Sequence, residues 1–485
     1  FACSLATAFH WEGSSALREN YLMKEWMRVT RATHAALAEC ESVTIMLDGW
    51  TDRQGKSVIA VLAVTAQRKT HLLDVMDCSA DSHTAAYNTE LFAKAIDKIG
   101  PEKVAAICTD GAAAMTRGRR DLVSQPKYRH ILDLRCQMHA FNLLYGSFFG
   151  HSVPKSIMRT AQQIVMFVRA SHKVGELVRQ KAREMGKKVA ALKTSNKTRF
   201  TSGEASLSSI AELEDVLQSV YVDAPALFQH KPELVAVLSD RWHDFWRQLR
   251  EFLKLLLPIS KVIMMVQSDE CTLADITRFW LYLAKDLVGV MAASKLAAEY
   301  ISHAAAQYIR RVQALHLDLH RLALFLDPTH KLVGAGGGDE TKFRAVADAV
   351  SELVLTCLLL AVSVMHNRRF GAQELIKLIQ QMRAYRSGVA PFDVTCEGRG
   401  RSAVRAWWIQ IGQSPGGDII SKLAIVLLDV VPHAAAPERA FSLLGWLQSE
   451  RRNRINVATM GALAAIKVHH LQGEAPRLLA KARDK

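Results

Sequence analysis

The sequence predicts a mixed α/β fold: three antiparallel strands, then parallel strands joined by helical crossovers, with a large all-α insertion interrupting it. Two observations carry this. Short β-rich runs are confined to residues 42–136, and from about 203 to 388 apolar residues recur only at helical spacing.

Residues 1–41 read as helical, with Leu17, Tyr21, Leu22, Trp26 and Met27 as a weak apolar pattern. Ser42–Leu47, Ser57–Thr65 and Thr70–Asp77 then read as strands, separated by the polar turns Asp52-Arg-Gln-Gly and Gln67-Arg-Lys. Neighbouring strands with such short turns form an antiparallel meander. A helix over Thr84–Ile99 is stopped by Gly100-Pro101. Lys103–Thr109 is a continuous apolar run, as a central strand buried on both faces requires. A helix from Ala112, a strand over Ile131–Cys136 and a helix from His139 complete the series. The order β-β-β-α-β-α-β-α is that of a ribonuclease-H-like fold.

Helix continues over 150–200 and ends in a basic link of Lys187, Lys188, Lys193, Lys197 and Arg199. Trp242, Phe245, Trp246, Leu249, Phe252, Leu253 and Leu256 then form a helical stripe before Pro258. Further helices are expected within Leu273–Leu326, Thr341–His366 and Gln373–Arg386, with a flexible loop at 333–338. The expected organisation is a helical N-terminal segment (1–41), the first part of the core (42–200), the all-α insertion (201–400), the C-terminal part of the core (401–472) and a basic tail (473–485).

Composition narrows the function. Apolar residues make up 49% and charged residues 22%, enough apolar material for a large core. Lysine and arginine number 62 against 47 acids, a net charge of +15 that favours a polyanionic partner, nucleic acid above all. The eight cysteines are scattered without a CxxC pair. That excludes a written disulfide framework or Cys-rich zinc module and suits a reducing compartment. The longest apolar run, Leu353 to Met365, is too short to span a bilayer, so no membrane role is expected. No signal peptide is visible, and a chain beginning at Phe1 is expected to lack its true N-terminus.

Two acids stand out. Asp48 ends the first expected strand and Asp110 the fourth, which are neighbours in such a sheet. Either one alone is explained as a turn or capping residue. Side by side they repel, and Mg²⁺ resolves that repulsion because it prefers carboxylate oxygens and leaves sites open for phosphate. Glu438 follows Pro437 at a helix start, where the helix dipole alone accounts for an acid. Arg451, Arg452 and Arg454 follow it closely, suited either to DNA phosphates through their planar forks or to local acids such as Glu450.

These residues resemble a known family. Asp48-Gly49-Trp50-Thr51, Thr109-Asp110-Gly111-Ala112-Ala113-Ala114-Met115, Cys136-Gln137-Met138-His139 with Asn142, Thr198-Arg199-Phe200, and Glu438-Arg439-Ala440-Phe441-Ser442 through Arg452-Asn453-Arg454 are similar to motifs of the hAT transposase superfamily. The front part resembles its DUF659-type region, and the end its C-terminal dimerisation region. The resemblance implies a DDE-type catalytic set of Asp48, Asp110 and Glu438 binding Mg²⁺ or Mn²⁺. It further implies cleavage and transfer of DNA at transposon ends and target, homo-oligomerisation through a C-terminal surface including Ile466 and Leu471, and a nuclear location. Relatives often carry a BED-type zinc finger upstream. Arg199 and the later arginines would contact DNA. Cys136 and His139 either support the active site or are a buried Cys with a capped His; one such pair is half a zinc site. Trp242, Trp246 and Trp280 are candidates for stacking on an extruded base, core packing being the stronger reading for most of them. The chain departs from the family at Gly111 and Ala114, where Asn is usual, and at Phe200, where Trp is usual. The alternative function is a decayed or domesticated transposase that binds DNA as a dimer without cutting it. A ribonuclease-H-like nuclease acting on RNA fits the C-terminal motif less well.

Overall fold

The computed structural model describes residues 17–189, 191–194, 202–315, 317–329, 355–447 and 455–483. Five strands, β1 Val43–Thr51, β2 Ser57–Thr65, β3 Thr70–Asp77, β4 Val104–Thr109 and β5 Leu132–Arg135, form one mixed sheet in the order β3-β2-β1-β4-β5. β1 pairs antiparallel with β2, and β2 with β3; β1 pairs parallel with β4, and β4 with β5. Helix α1 Met23–Ala38 precedes the sheet, α2 Ala85–Ile99 links β3 to β4, α3 Ala113–Val123 links β4 to β5, and α4 Gln137–Phe148 follows β5.

Local chemistry accounts for these elements. The Thr84 hydroxyl accepts the Tyr87 N–H at 3.2 Å and caps α2. Gly100, at φ 105°, ends that helix before Pro101 in a conformation that other residues rarely adopt. Alternation along β1 sends Val43, Ile45 and Leu47 into a core with Ile59, Val61, Leu91, Phe92, Ile96 and Ile107. Thr44, Met46 and Asp48 therefore lie on the opposite face.

The first strand is longer than expected. It runs to Thr51, because its antiparallel pairing with β2 continues as far as Thr51 opposite Ser57. Asp48 thus sits inside β1 rather than at its end.

By compactness the chain divides into two units. One comprises Phe1–His139, Gln267–Thr277 and Leu317–Lys485; the other comprises Ala140–Val266 and Arg278–His316. These limits differ from a division at 200 and 400, because the helices from 140 onward pack among themselves and the chain rejoins the sheet-bearing unit briefly at 267–277 and again from 317.

The second unit holds α5 Ser152–Ala170, α6 His172–Glu184, α7 Ser202–Glu212, α8 Glu214–Asp223, α9 Pro232–Ser239, α10 Asp244–Val266, most of α11 Leu273–Ala293, and α12 Ala298–Gln313. Among its described residues there is no strand. Helix α10 passes through Pro258, whose missing N–H costs about 3 kcal/mol. Buried Leu255, Leu256, Ile259, Val262 and Ile263 on either side offset this, each contributing roughly 1.5–3 kcal/mol.

The sheet-bearing unit resumes with α13 Asp318–Phe325, α14 (355–367), α15 Ala372–Ser387, α16 Arg401–Gly412, α17 Asp418–Asp429, α18 Ala435–Leu447 and α19 Val457–Arg483. Residues after 317 are held by aromatic packing. Tyr385, Phe392, Trp407 and Trp408 cluster, and the Trp408 indole donates to the Leu326 carbonyl at 3.0 Å. The loop expected at 333–338 lies outside the described residues, as does most of the helix expected before residue 355. Among the described residues no helix is long and apolar enough to cross a membrane.

Candidate active site

The site begins where two parallel strands stop pairing. The β1–β4 ladder ends with Met46 opposite Cys108. Two residues further along each strand stand Asp48 and Asp110, so the register continued brings them side by side on the face opposite the Ile45 core. The Gly49 N–H donates to the Asp48 carboxylate at 2.9 Å, and the Ala112 N–H to that of Asp110 at 3.2 Å. The end of β4 is fixed from below by Arg119 of α3, which is 1% exposed. Its guanidinium pairs with Asp133 at 2.5 Å and donates to the Thr109 hydroxyl and, at 3.1 Å, to the Asp110 carbonyl.

The C-terminal segment is delivered to this same face. Arg68, at φ 65° in the turn between β2 and β3, donates to the carbonyls of Asp429 at 3.0 Å, Cys271 at 3.2 Å and Leu428 at 3.3 Å. These include the last carbonyls of α17, which lack intrahelical partners. The Arg401 guanidinium donates to the Ala66 carbonyl at 2.8 Å. The chain then crosses the sheet: the Val431 N–H donates to the Thr44 hydroxyl at 3.1 Å, and the Gln137 N–H to the Pro432 carbonyl at 3.0 Å. The Ala434 N–H donates to the Cys136 sulfur at 3.1 Å. Helix α18 follows, with Leu444 and Leu447 buried, and the Phe441 ring lies 4.4 Å from that of Trp50. Trp50 shares a strand face with Asp48, and Glu438 shares a helix face with Phe441. That contact brings the helix face carrying Glu438 to the strand face carrying Asp48.

The electrostatics agree with this placement. Burial, then the charge of Asp110, then that of Glu438 push the Asp48 carboxyl up to about 7, against the Gly49 hydrogen bond. Burial raises Glu438 to about 7 as well, opposed by the neighbouring Arg439, which is itself paired with Asp269 at 2.9 Å. Of the two, Asp48 bears the mutual repulsion. Acids held near neutrality in this way are poised to exchange a proton for a cation. Their oxygens suit a hard divalent ion. The spacing is open, however: among the described residues no group of three or more His, Cys, Asp or Glu side chains is gathered closely enough to hold a metal.

Residues 13–164 match a family described as a domain of unknown function, DUF659. This family is associated with hAT transposases. The match covers less than half of the chain. It takes in the whole sheet, and so Asp48 and Asp110, but stops before Glu438. No curated protein matches the chain.

Within the DUF659 segment, Cys136 is buried and accepts from the His139 N–H at 3.4 Å as well as from Ala434. It ties the start of α4 to the segment leading into α18, while His139 is half-buried. Asn142 is buried, and among the described residues its amide has no hydrogen-bond partner. The described cysteines are all free.

Arg199, Arg451, Arg452 and Arg454 lie outside the described residues, as does Phe200. Of the three tryptophans, Trp246 is 0% exposed, with its indole donating to the Val237 carbonyl at 3.0 Å. Trp280 is buried and stacked on Phe141 at 4.1 Å. Trp242 departs from the expected core stripe: it is 87% exposed. The reason is local, because its N–H is held by the Asp240 carboxylate at 2.8 Å in a turn, and α10 starts only at Asp244.

Sequence reasoning missed Arg119, Arg68 and Thr44. Arginine is rarely fully buried, so nothing in the pattern marks Arg119. The one available signal for Arg68 was its place in a turn beside Gln67.

Proposed function

We propose that the chain is a hAT-type DNA transposase or transposase-derived protein, cutting and joining DNA strands at a DDE-type site of Asp48, Asp110 and Glu438. The single observation that carries this reading is the return of α18 to β1, with the Phe441 ring 4.4 Å from that of Trp50, two residues beyond Asp48. The strand order β3-β2-β1-β4-β5, with two antiparallel and two parallel pairings, supports a ribonuclease-H-like core.

Mg²⁺ or Mn²⁺, when bound, supplies activation of the attacking oxygen and stabilisation of the leaving one. Asp48, Asp110 and Glu438 would hold it only if drawn closer together than they stand in this structure. The chain's own work is to keep these carboxylates on one face: Arg119 fixes the end of β4, Arg68 and Thr44 fix the returning segment, and Trp50 against Phe441 sets the rotation of α18. The excess of basic residues supports DNA as partner, with Arg199, Arg451, Arg452 and Arg454 on its phosphates and the nucleus as location. Trp242 is the exposed member of the three insertion tryptophans and the one suited to stack on a base. A second copy of the chain would dock through the C-terminal region, where Leu471 is 44% exposed.

A second reading, a dimeric DNA-binding protein without cleavage, is favoured by the open spacing of the acids. Labelled transposon-end DNA incubated with Mn²⁺ and either wild type or Asp48→Asn separates the two. Cleavage by wild type alone is expected. No cleavage by either supports the second reading, and equal cleavage by both removes Asp48 from the site.

A further inference from the structure

Arg135 ends β5 in register with Thr109, the residue before Asp110, at the same end of the sheet as the acids. Its guanidinium lies directly over Gly111: the nearest atoms that a Cβ at position 111 would meet are the Nε, Cζ and Nη2 of Arg135. The side chain absent at Gly111, where the resembled family usually has Asn, is what leaves room for this cation. Arg119, close by, has its charge matched by Asp133 and its donors taken by Thr109 and Asp110. Arg135 differs. Among the described residues its buried Nε has no hydrogen-bond partner and it makes no ion pair. A buried N–H donor left without an acceptor costs free energy, which an anion at the site would recover. The acids alone repel a phosphate, and a planar guanidinium beside them supplies two parallel donors for its oxygens.

We propose that Arg135 binds a phosphate of the DNA backbone at the carboxylate edge, in the notch left open by Gly111. This rests on the reading of that edge as a DNA-processing site.

The test is the affinity of a fluorescein-labelled transposon-end duplex across a salt series, in an Asp48→Asn parent to prevent cleavage, with the melting temperature of each variant recorded. Arg135→Gln is expected to weaken binding about tenfold and to reduce the slope of log K against log salt by about 1. Gly111→Ala is expected to weaken binding as well, because the new methyl displaces the guanidinium. It should add no further loss on top of Arg135→Gln. Unchanged affinity and slope in Arg135→Gln overturn the proposal. So does weaker binding with an unchanged slope and a lowered melting temperature, which marks a purely structural role. If Arg135→Gln does not fold, Arg135→Lys decides: it keeps the charge and loses the fork, so weaker binding at an unchanged slope is expected, and unchanged affinity overturns the proposal. A parent that does not bind DNA at all instead brings down the reading of the edge itself.

Discussion

Asp48 is an acid raised first by burial and then by the charges of Asp110 and Glu438, and its titration should be visible in the stability of the protein. Its folded value near 7 lies above the ordinary 3.8, so between those values the folded chain holds a proton that the unfolded chain has released. The associated stability is fully present below the ordinary value and is lost as pH rises through about 7. Glu438, raised from 4.5 to about 7, acts in the same direction. Melting temperatures in EDTA should therefore fall more steeply for wild type than for Asp48→Asn from about pH 5 to about pH 8. Added Mg²⁺ should narrow the difference; parallel curves would count against the burial and crowding described for Asp48. Arg119 makes a different contribution at this scale. Arg119→Ala leaves Asp133 and the end of β4 without their cation, and a loss of about 3 kcal/mol in urea unfolding is expected.

Among the elements, the returning segment from α17 to α18 decides whether a site exists. It is held by the Arg68 donors to backbone carbonyls, by single contacts to Thr44 and Cys136 and by one backbone hydrogen bond from Gln137 to Pro432. Arg68→Ala should cost about 2 kcal/mol and speed amide exchange in α18 more than in β2, whose ladder does not depend on it. Equal protection of α18 in both proteins would show that Arg68 does not hold it. The strands themselves were legible in the sequence: 57–65 and 70–77 read as strands over the lengths they have, because apolar runs are cut by turn residues such as Gly55 and Arg68. The side of the sheet on which α18 lands was not legible. Backbone carbonyls are the same at every position, so no residue pattern announces that Arg68 will meet those of Leu428 and Asp429. Asp48 read as a strand end for a related reason. Gly49 looks like a terminator, and only the pairing with β2 carries β1 past it. The helical stripe around Trp246 was legible, but where α10 begins was not, since the turn at Asp240 takes Trp242 out of the stripe.

Across the whole molecule the notable quantity is charge. A net charge of +15 on a chain proposed to contact DNA phosphates predicts affinity that falls steeply with salt. Duplex affinity measured between about 50 mM and about 200 mM salt should drop by orders of magnitude, and a flat response would remove the electrostatic basis for a DNA partner. The division into two compact units was only partly legible, because compactness depends on which helices meet, and amphipathic stripes in the two units look alike. The proposal that Glu438 serves the same face as Asp48 and Asp110 joins the DUF659 segment to residues far outside it. It is tested most directly by titrating Mn²⁺ into wild type, Asp48→Asn, Asp110→Asn and Glu438→Gln and following bound ion by electron paramagnetic resonance. The account predicts binding by wild type that is weakened in all three variants, Glu438→Gln included. Binding by Glu438→Gln as tight as wild type would contradict it.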